Sequence, residues 1–88
     1  MARRWIRLKY QDAPGRKVFV AGSFNQWRPD EIEMVDALGD GVYTARVLLP
    51  TGRHEYKFIV DGAWIADPAN PETAPNDKGS INSVLLIE

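Results

Sequence analysis

Short runs of alternating apolar and polar residues, separated by turn-forming residues, constrain this chain more than any other feature. The turns fall at 12–15, 38–41, 50–52 and 61–62, where Gly, Pro and Asp are concentrated. No segment has a convincing helical period, although 30–38 fits either a short turn or a short strand. This spacing is typical of an all-β fold, and we predict an antiparallel immunoglobulin-like β-sandwich of about six to eight strands.

Size and composition narrow the class of protein further. With 88 residues, 44% of them hydrophobic, the chain is expected to form one domain spanning residues 1–88. It has no cysteine, so packing rather than disulfides or thiolate-bound zinc must stabilise it. The first residues are charged and lack the apolar stretch of a secretory signal. We therefore expect a cytoplasmic protein with no membrane partner.

Charge is distributed unevenly, although the net charge is only −1. The basic residues of the first segment are Arg3, Arg4, Arg7, Lys9, Arg16 and Lys17. We interpret them as the solvated outer faces of strands. The alternative, a basic stripe for nucleic acid, has little support because only Trp5 and Tyr10 interleave with it. No nucleic-acid partner is predicted.

The residues that enzymes use are almost missing. His54 is the only histidine, and we expect it to be exposed at a strand edge, because nothing in the sequence marks a buried carboxylate to orient it. Clustered His or Cys ligands, an oxygen-rich calcium loop and a glycine-rich phosphate loop are all absent. The sequence therefore predicts a protein that is not an enzyme and that uses no cofactor or metal.

The dipeptide Asp61-Gly62 predicts a two-residue β-hairpin. In that register Ile59 pairs with Trp64, so Trp64 shares a face with Ile59 and Lys57. The other face of the first strand is expected to belong to the core, and it carries Tyr56, Phe58 and Val60. An exposed Trp64 beside an exposed Lys57 indicates a binding site, whereas the alternative is that Trp64 only covers the sheet edge.

Two further tryptophans are expected in different places. Trp5 alternates within a strand and is predicted to lie in the core or at the edge of the sandwich. Trp27 follows a strand end, where Phe24 is expected to turn into the core while Asn25 makes an Asx turn. Trp27 then lies on a loop, either as a ligand platform or as a cap over the open end of the sandwich. Two flat indoles suit the apolar face of a sugar, although such platforms also bind single-stranded nucleic acid.

Residues 67–80 form a long, proline-rich segment with no apolar period. Loops of this length in small domains are commonly functional. Its three prolines restrict the free loop, which favours an ordered, presented surface.

Four segments of the chain resemble carbohydrate-binding module family 48. They are Val18–Trp27 (VFVAGSFNQW), Tyr56–Trp64 (YKFIVDGAW), Asp67–Pro71 (DPANP) and Gly79–Val84 (GSINSV). That family includes the glycogen-binding domain of AMP-activated protein kinase β subunits and the N-terminal domains of isoamylases and glycogen-branching enzymes. The resemblance implies an early-set immunoglobulin-like fold and non-catalytic binding of α-1,4-glucans such as glycogen, starch and malto-oligosaccharides. The alternative is a module that docks onto a glucan-active enzyme or kinase without binding sugar.

The resemblance also implies which residues contact the glucan. It assigns stacking to Trp27 and Trp64, and hydrogen bonds to Lys57, Ser80 and Asn82. A sixth position, Lys78, departs from the family pattern, because the kinase-type modules carry a leucine there and their loop is one residue shorter. A lysine removes the apolar contact at the loop tip, but its ammonium can still donate to a hydroxyl.

Overall fold

Eight β-strands build the part of the chain that the computed structural model describes, residues 2–88, and no helix occurs within it. They are β1 (Arg3–Gln11), β2 (Val18–Gly22), β3 (Ile32–Met34), β4 (Val42–Pro50), β5 (Gly52–Val60), β6 (Ala63–Ile65), β7 (Thr73–Pro75) and β8 (Ile81–Ile87). The predicted all-β class and strand number are confirmed. Segment 30–38, for which the sequence left two alternatives, contains the strand β3.

The strands form two antiparallel sheets. One contains only β1 and β4, which pair along their whole length from Arg3↔Pro50 to Gln11↔Val42. The other has the order β3-β2-β5-β8-β7, and β6 also pairs with β5. One edge of β5 bonds β2, while the opposite edge is shared between β8 at residues 52–56 and β6 at residues 58–60. The result is the predicted immunoglobulin-like sandwich.

The core lies between the two sheets, where the inward-facing residues of each strand meet. Its buried members are Leu8, Tyr10, Val18, Val20, Met34, Tyr43, Val47, Leu49, Tyr56, Phe58, Val60 and Ile87. Phe58 is fully buried and its ring centroid lies 5.3 Å from that of Tyr10 and 5.7 Å from that of Tyr56. Because Tyr10 belongs to β1 and Phe58 to β5, this aromatic contact joins the two sheets.

The hairpin between β5 and β6 has the predicted register. Ile59 pairs with Trp64 and Val60 with Ala63. Asp61 and Gly62 have φ angles of 49° and 86°, as a type I′ turn requires. The Asp61 carboxylate also accepts a hydrogen bond of 2.9 Å from the backbone N–H of Lys17, which ties this turn to the chain entering β2.

Two residues on the outer face of β5 are buried, although the sequence predicted them to be exposed. Only 5% of Ile59 and 8% of Lys57 is accessible to solvent. Ile59 lies in register between Phe19 of β2 and Trp64 of β6, whose side chains share its face. Lys57 is covered by the segment before β8, since its Nζ donates a 2.8 Å hydrogen bond to Ser80 Oγ. Strand alternation gave the correct face for both residues, but it could not show that other parts of the chain lie over that face.

Two further expectations are wrong. Trp5 was expected in the core or at the sandwich edge, but 60% of it is exposed on the outer face of the β1–β4 sheet, where the Arg46 guanidinium lies 4.9 Å from its ring. His54 was expected to be exposed, but it is half-buried. Its ring lies edge-on to Phe24 at 6.2 Å, and its Nε2 is 2.9 Å from the carbonyl oxygen of Pro50.

Segment 67–80 is ordered, but it is not all loop, because the short strand β7 runs antiparallel to β8 within it. The core side of the fold anchors its beginning. Tyr56 OH donates to Asp67 Oδ2 at 2.7 Å, and the backbone N–H of Asp67 donates to Ser83 Oγ at 2.7 Å. Asn70 Nδ2 donates to the Val84 carbonyl at 2.9 Å. These bonds fix the path by which the chain returns to the outer face of β5.

Candidate functional site

An open cavity of 620 Å³ lies on the outer face of the larger sheet. The side chains around it are Trp27, Lys57, Trp64, Asn76, Asp77, Lys78, Ser80 and Asn82. All six residues assigned from the sequence therefore lie around one cavity, although they come from four separate segments of the chain. Its volume falls in the range of about 300–1,000 Å³ typical of small-molecule sites.

Trp27 is positioned by a turn that leaves β2 at Gly22. The Gly22 carbonyl accepts hydrogen bonds from the backbone N–H of Asn25 (3.1 Å) and of Trp27 (3.0 Å). The side chain of Asn25, only 4% exposed, closes the turn: its Oδ1 accepts from the Gly22 N–H and its Nδ2 donates to the Arg28 carbonyl. The Asx turn expected at Asn25 is wrong in detail, because its Oδ1 accepts from Gly22, three residues before it, and not from a residue that follows. Phe24 turns toward the core, as expected.

The same turn forces an uncommon backbone conformation on Trp27. Its φ angle is 58°, and that of Gln26 is 56°. A left-handed conformation is unfavourable for a bulky side chain, and such residues persist only where surrounding bonds hold them, often at functional sites. Here the bonds made by Asn25 hold the turn, and Trp27 is left half-buried beside the cavity.

Trp64 lines the cavity from β6, the second strand of the hairpin. It lies across from Ile59 in β6, and 44% of it is exposed. One part of the indole covers Ile59, so both interpretations made from the sequence describe part of its environment. The remaining exposed surface is available for a flat apolar ligand.

Polar groups form the floor of the cavity. The ammonium of Lys57 is directed to Ser80 by their 2.8 Å hydrogen bond. The cavity that the two indoles line therefore also holds a cation and a hydroxyl close together. The hydroxyl retains acceptor capacity, and the ammonium keeps two further N–H donors.

Asn76 was not predicted, yet it organises the loop tip. Its Oδ1 accepts hydrogen bonds of 3.0 Å from the backbone N–H groups of both Lys78 and Ser80, and its own N–H donates to the Ser80 carbonyl at 2.9 Å. Its Nδ2 donates to Asn82 Oδ1 at 3.2 Å. An Asn-Asp pair before Lys-Gly is a turn signal that would have indicated the first part of this arrangement.

Asn82 lines the cavity but is largely buried, and its amide oxygen and one of its two N–H groups are already bonded. Its Oδ1 accepts from Asn76, and its Nδ2 donates to Glu55 Oε1 at 3.0 Å. Glu55 in turn accepts a 2.6 Å bond from Arg53 Nη1. The bond from Asn82 and the ion pair with Arg53 lower the pKa of the Glu55 carboxyl below its usual range. The carboxylate is thus the acceptor that fixes the orientation of the Asn82 amide.

The arrangement can bind a flat, hydroxylated molecule. Each indole offers an apolar surface to ring C–H groups, while ammonium, hydroxyl and amide groups between them bond hydroxyls. Within the described residues, no cluster of three His, Cys, Asp or Glu side chains could hold a metal ion.

A protein family described as the glycogen recognition site of AMP-activated protein kinase matches residues 5–88. The chain therefore belongs to this family, which confirms the resemblance found in its four motifs.

Individual relatives agree with this assignment. The 5'-AMP-activated protein kinase subunit beta-2 of Mus musculus and that of Homo sapiens are each 38% identical over 74 residues, or 84% of this chain. The subunit beta-1 of Sus scrofa is 32% identical over 74 residues. The chain spans 26% of the length of the beta-2 subunits and 57% of the beta-1 sequence. In residues 2–88, no helix is long and apolar enough to cross a membrane.

Proposed function

We propose that this chain is a non-catalytic binding module for α-1,4-glucans. In this proposal Trp27 and Trp64 stack on glucose rings, while Lys57, Ser80, Asn82 and Lys78 supply hydrogen bonds. Glycogen, starch and malto-oligosaccharides are the ligand class. The cytoplasmic location stays a prediction.

The observation that carries the proposal is the meeting of two indoles and a lysine around one cavity. Trp27 and Trp64 are separated by 37 positions in sequence, yet a left-handed turn and a hairpin bring both to the rim of the same 620 Å³ cavity. Lys57 lines the same cavity. A tryptophan whose role is only to close the core would not need a half-exposed ring beside buried polar groups.

Alanine substitution of each tryptophan tests the stacking. We expect Trp27→Ala and Trp64→Ala each to weaken glucan binding by about 1–3 kcal/mol while the domain stays folded. Affinity electrophoresis in gels containing glycogen gives the ranking, and calorimetry with maltoheptaose gives Kd. For the parent chain we expect a Kd of about 0.1–1 mM, since a few contacts must offset the entropy of association.

Trp5→Ala is the matched control, because Trp5 is an exposed tryptophan on the other sheet. It should leave glucan affinity unchanged. If folded Trp27→Ala and Trp64→Ala proteins bind glycogen like the parent, the proposal is wrong. If either variant unfolds, that tryptophan is a structural cap.

Lys78 makes a further expectation specific to this chain. A solvated lysine at the loop tip loses hydration against sugar carbons, so it should not favour a ring-shaped glucan. We expect little extra affinity for β-cyclodextrin over maltoheptaose, and a gain for the ring in Lys78→Leu. A tenfold or larger preference for the ring in the parent, unchanged by leucine, would contradict this role.

The second candidate function is docking onto a kinase or a glucan-active enzyme without sugar binding. The names of the relatives favour a kinase partner, since they are subunits of AMP-activated protein kinase. The two functions are compatible, because glucan binding uses only one face of one sheet. If the parent chain does not bind glycogen at all, only the second function remains.

A further inference from the structure

The β1–β4 sheet carries an extreme local charge. Its two strands contain five cations and no carboxylate: Arg3, Arg4, Arg7, Lys9 and Arg46. The whole chain has a formal charge of −1, so the residues outside these strands carry −6. The near-neutral total therefore hides a basic sheet on an acidic remainder.

The cations are concentrated on the outer face of this sheet. Arg3, Arg7 and Lys9 alternate on β1 with core residues, and Arg46 lies directly across from Arg7. Like charges in opposite positions of a sheet destabilise it. Among the described residues, Arg3, Arg7, Lys9 and Arg46 form no ion pair, although four cations elsewhere do: Arg16, Lys17, Arg28 and Arg53.

An apolar pair lies at one end of the same face. Trp5 is 60% exposed and pairs in register with Leu48, which is 42% exposed. One surface of the Trp5 ring is occupied by the Arg46 guanidinium at 4.9 Å. Protein interfaces are enriched in aromatic side chains and in arginine, so an exposed tryptophan next to arginines without an ion pair is typical of a binding surface.

One edge of β1 is unpaired. β1 pairs with β4 along nine residues, and no other strand bonds it among residues 2–88. An unpaired edge invites another strand to add to it, and at its Lys9–Gln11 end residues 67–69 border it across a cavity. A second copy of β1 is disfavoured, because it would bring its own arginines and lysine against these.

We propose that the free edge of β1 takes an extended acidic peptide as an added strand. Its carboxylates would stand on alternate residues, because side chains two apart on a strand share a face at a spacing of about 6.6–6.8 Å, which matches Arg7 and Lys9. The intervening residues would be apolar, since they would lie beside Ile6 and Leu8 at the edge of the core. At the position beside Trp5, which shares this face, an apolar side chain would replace the carboxylate.

The unpaired backbone favours a peptide over a nucleic acid. Both would neutralise the cations, but only a peptide can continue the ladder of N–H and C=O groups along β1. This surface is separate from the cavity, whose lining residues all lie outside β1 and β4. Peptide docking and glucan binding therefore succeed or fail independently.

A capped nine-residue peptide of alternating Glu and Val, labelled for fluorescence anisotropy, tests the proposal. We expect saturable binding that falls at least about tenfold in the Arg7→Glu/Lys9→Glu double variant, because attraction becomes repulsion. Lys17→Glu is the control, with one charge reversed just before β2 and outside the β1–β4 sheet, and it should bind the peptide like the parent. The double variant should unfold in urea with a cooperative transition like that of the parent, which shows that it is folded.

Three matched probes separate the elements of the proposal. The same peptide N-methylated at every residue keeps its charge but has no N–H left to pair with β1, so it should bind at least tenfold more weakly. The Lys-Val counterpart should not bind. Equal binding by the methylated peptide would overturn strand addition. If oligothymidylate of equal charge binds more tightly than the acidic peptide, the partner is a nucleic acid and the proposal of a peptide is wrong.

Discussion

Replacing Asn82 by aspartate tests the partly buried hydrogen bonds beside the cavity. In the parent chain, Asn82 Nδ2 donates to Glu55 Oε1 at 3.0 Å. Aspartate is nearly isosteric and still accepts the bond from Asn76, but it places an oxygen where the donor was. Two carboxylates then meet at hydrogen-bond distance at a partly buried position.

The structure sets the magnitude. Two unit charges about 3 Å apart repel by about 5 kcal/mol at an effective dielectric constant of about 20. Sharing one proton avoids this repulsion, but the unfolded carboxyls have pKa values near 4, so retaining a proton at pH 7 costs about 4 kcal/mol. Retaining the proton is the cheaper of the two, so Asn82→Asp should lower the free energy of unfolding by about 3–4 kcal/mol at pH 7 and by about 1 kcal/mol at pH 5.

The pH dependence has opposite signs in the two proteins. In the parent, the pKa of Glu55 is lowered by Asn82 and Arg53, so its stabilising effect is present above the unfolded pKa and is lost as pH falls through the folded one. In Asn82→Asp the pKa of the carboxyl pair is raised. Its folded state is therefore relatively favoured at low pH and loses stability as pH rises through the raised value.

Urea unfolding followed by tryptophan fluorescence at pH 5 and pH 7 measures both slopes. The parent should change little over this interval, while Asn82→Asp should gain about 2–3 kcal/mol on acidification. The double variant Glu55→Gln/Asn82→Asp exchanges donor and acceptor, and it should recover most of the loss at pH 7. If Asn82→Asp has the parental pH slope, the two side chains do not share this bond and the reasoning is wrong.

Three other substitutions test the scaffold and the floor of the cavity. Phe58→Ala should cost about 3–5 kcal/mol in urea unfolding, because the ring is fully buried between the sheets; a loss under 1 kcal/mol would contradict its central place. Gly22→Ala should cost about 1–3 kcal/mol and weaken glycogen binding, since its Cβ would lie 2.5 Å from the Glu55 carbonyl oxygen; parental stability would show that the Trp27 turn shifts freely. Lys57→Met keeps the aliphatic stem but removes the donor to Ser80, so maltoheptaose affinity should fall by about 1 kcal/mol in calorimetry; an unchanged Kd would remove Lys57 from the site.

The sequence predicted the hairpin because its signals are local. Asp61-Gly62 fixes the turn, and the two-residue loop fixes which residue lies opposite Trp64. Strand alternation likewise placed Phe58 in the core. The grouping of the six site residues came from the resemblance, since no local pattern brings segments 23–28 and 76–82 together.

The errors have different physical causes. Alternation placed Lys57 on an outer face, but it cannot say whether another segment lies over that face, and residues 76–80 cover Lys57. Trp5 was expected in the core or at the sandwich edge because large aromatic side chains favour burial, but it lies on the outer face of β1, where the Arg46 guanidinium contacts its ring. The bonds that link Asn76, Asn82 and Glu55 join positions far apart in sequence, so they could not be predicted from spacing alone.

The two turns beside the cavity decide where the entropy of binding is lost. Asn25 and Asn76 each bond several backbone groups of their own loop, so both loops are ordered before any ligand arrives. Ordering costs about 1–2 kcal/mol for each backbone residue that must be fixed, and here folding has already met that cost. The conformational freedom lost on binding is therefore mainly that of the ligand, so a linear chain already curved to the spacing of the two indoles binds with the smallest entropic cost.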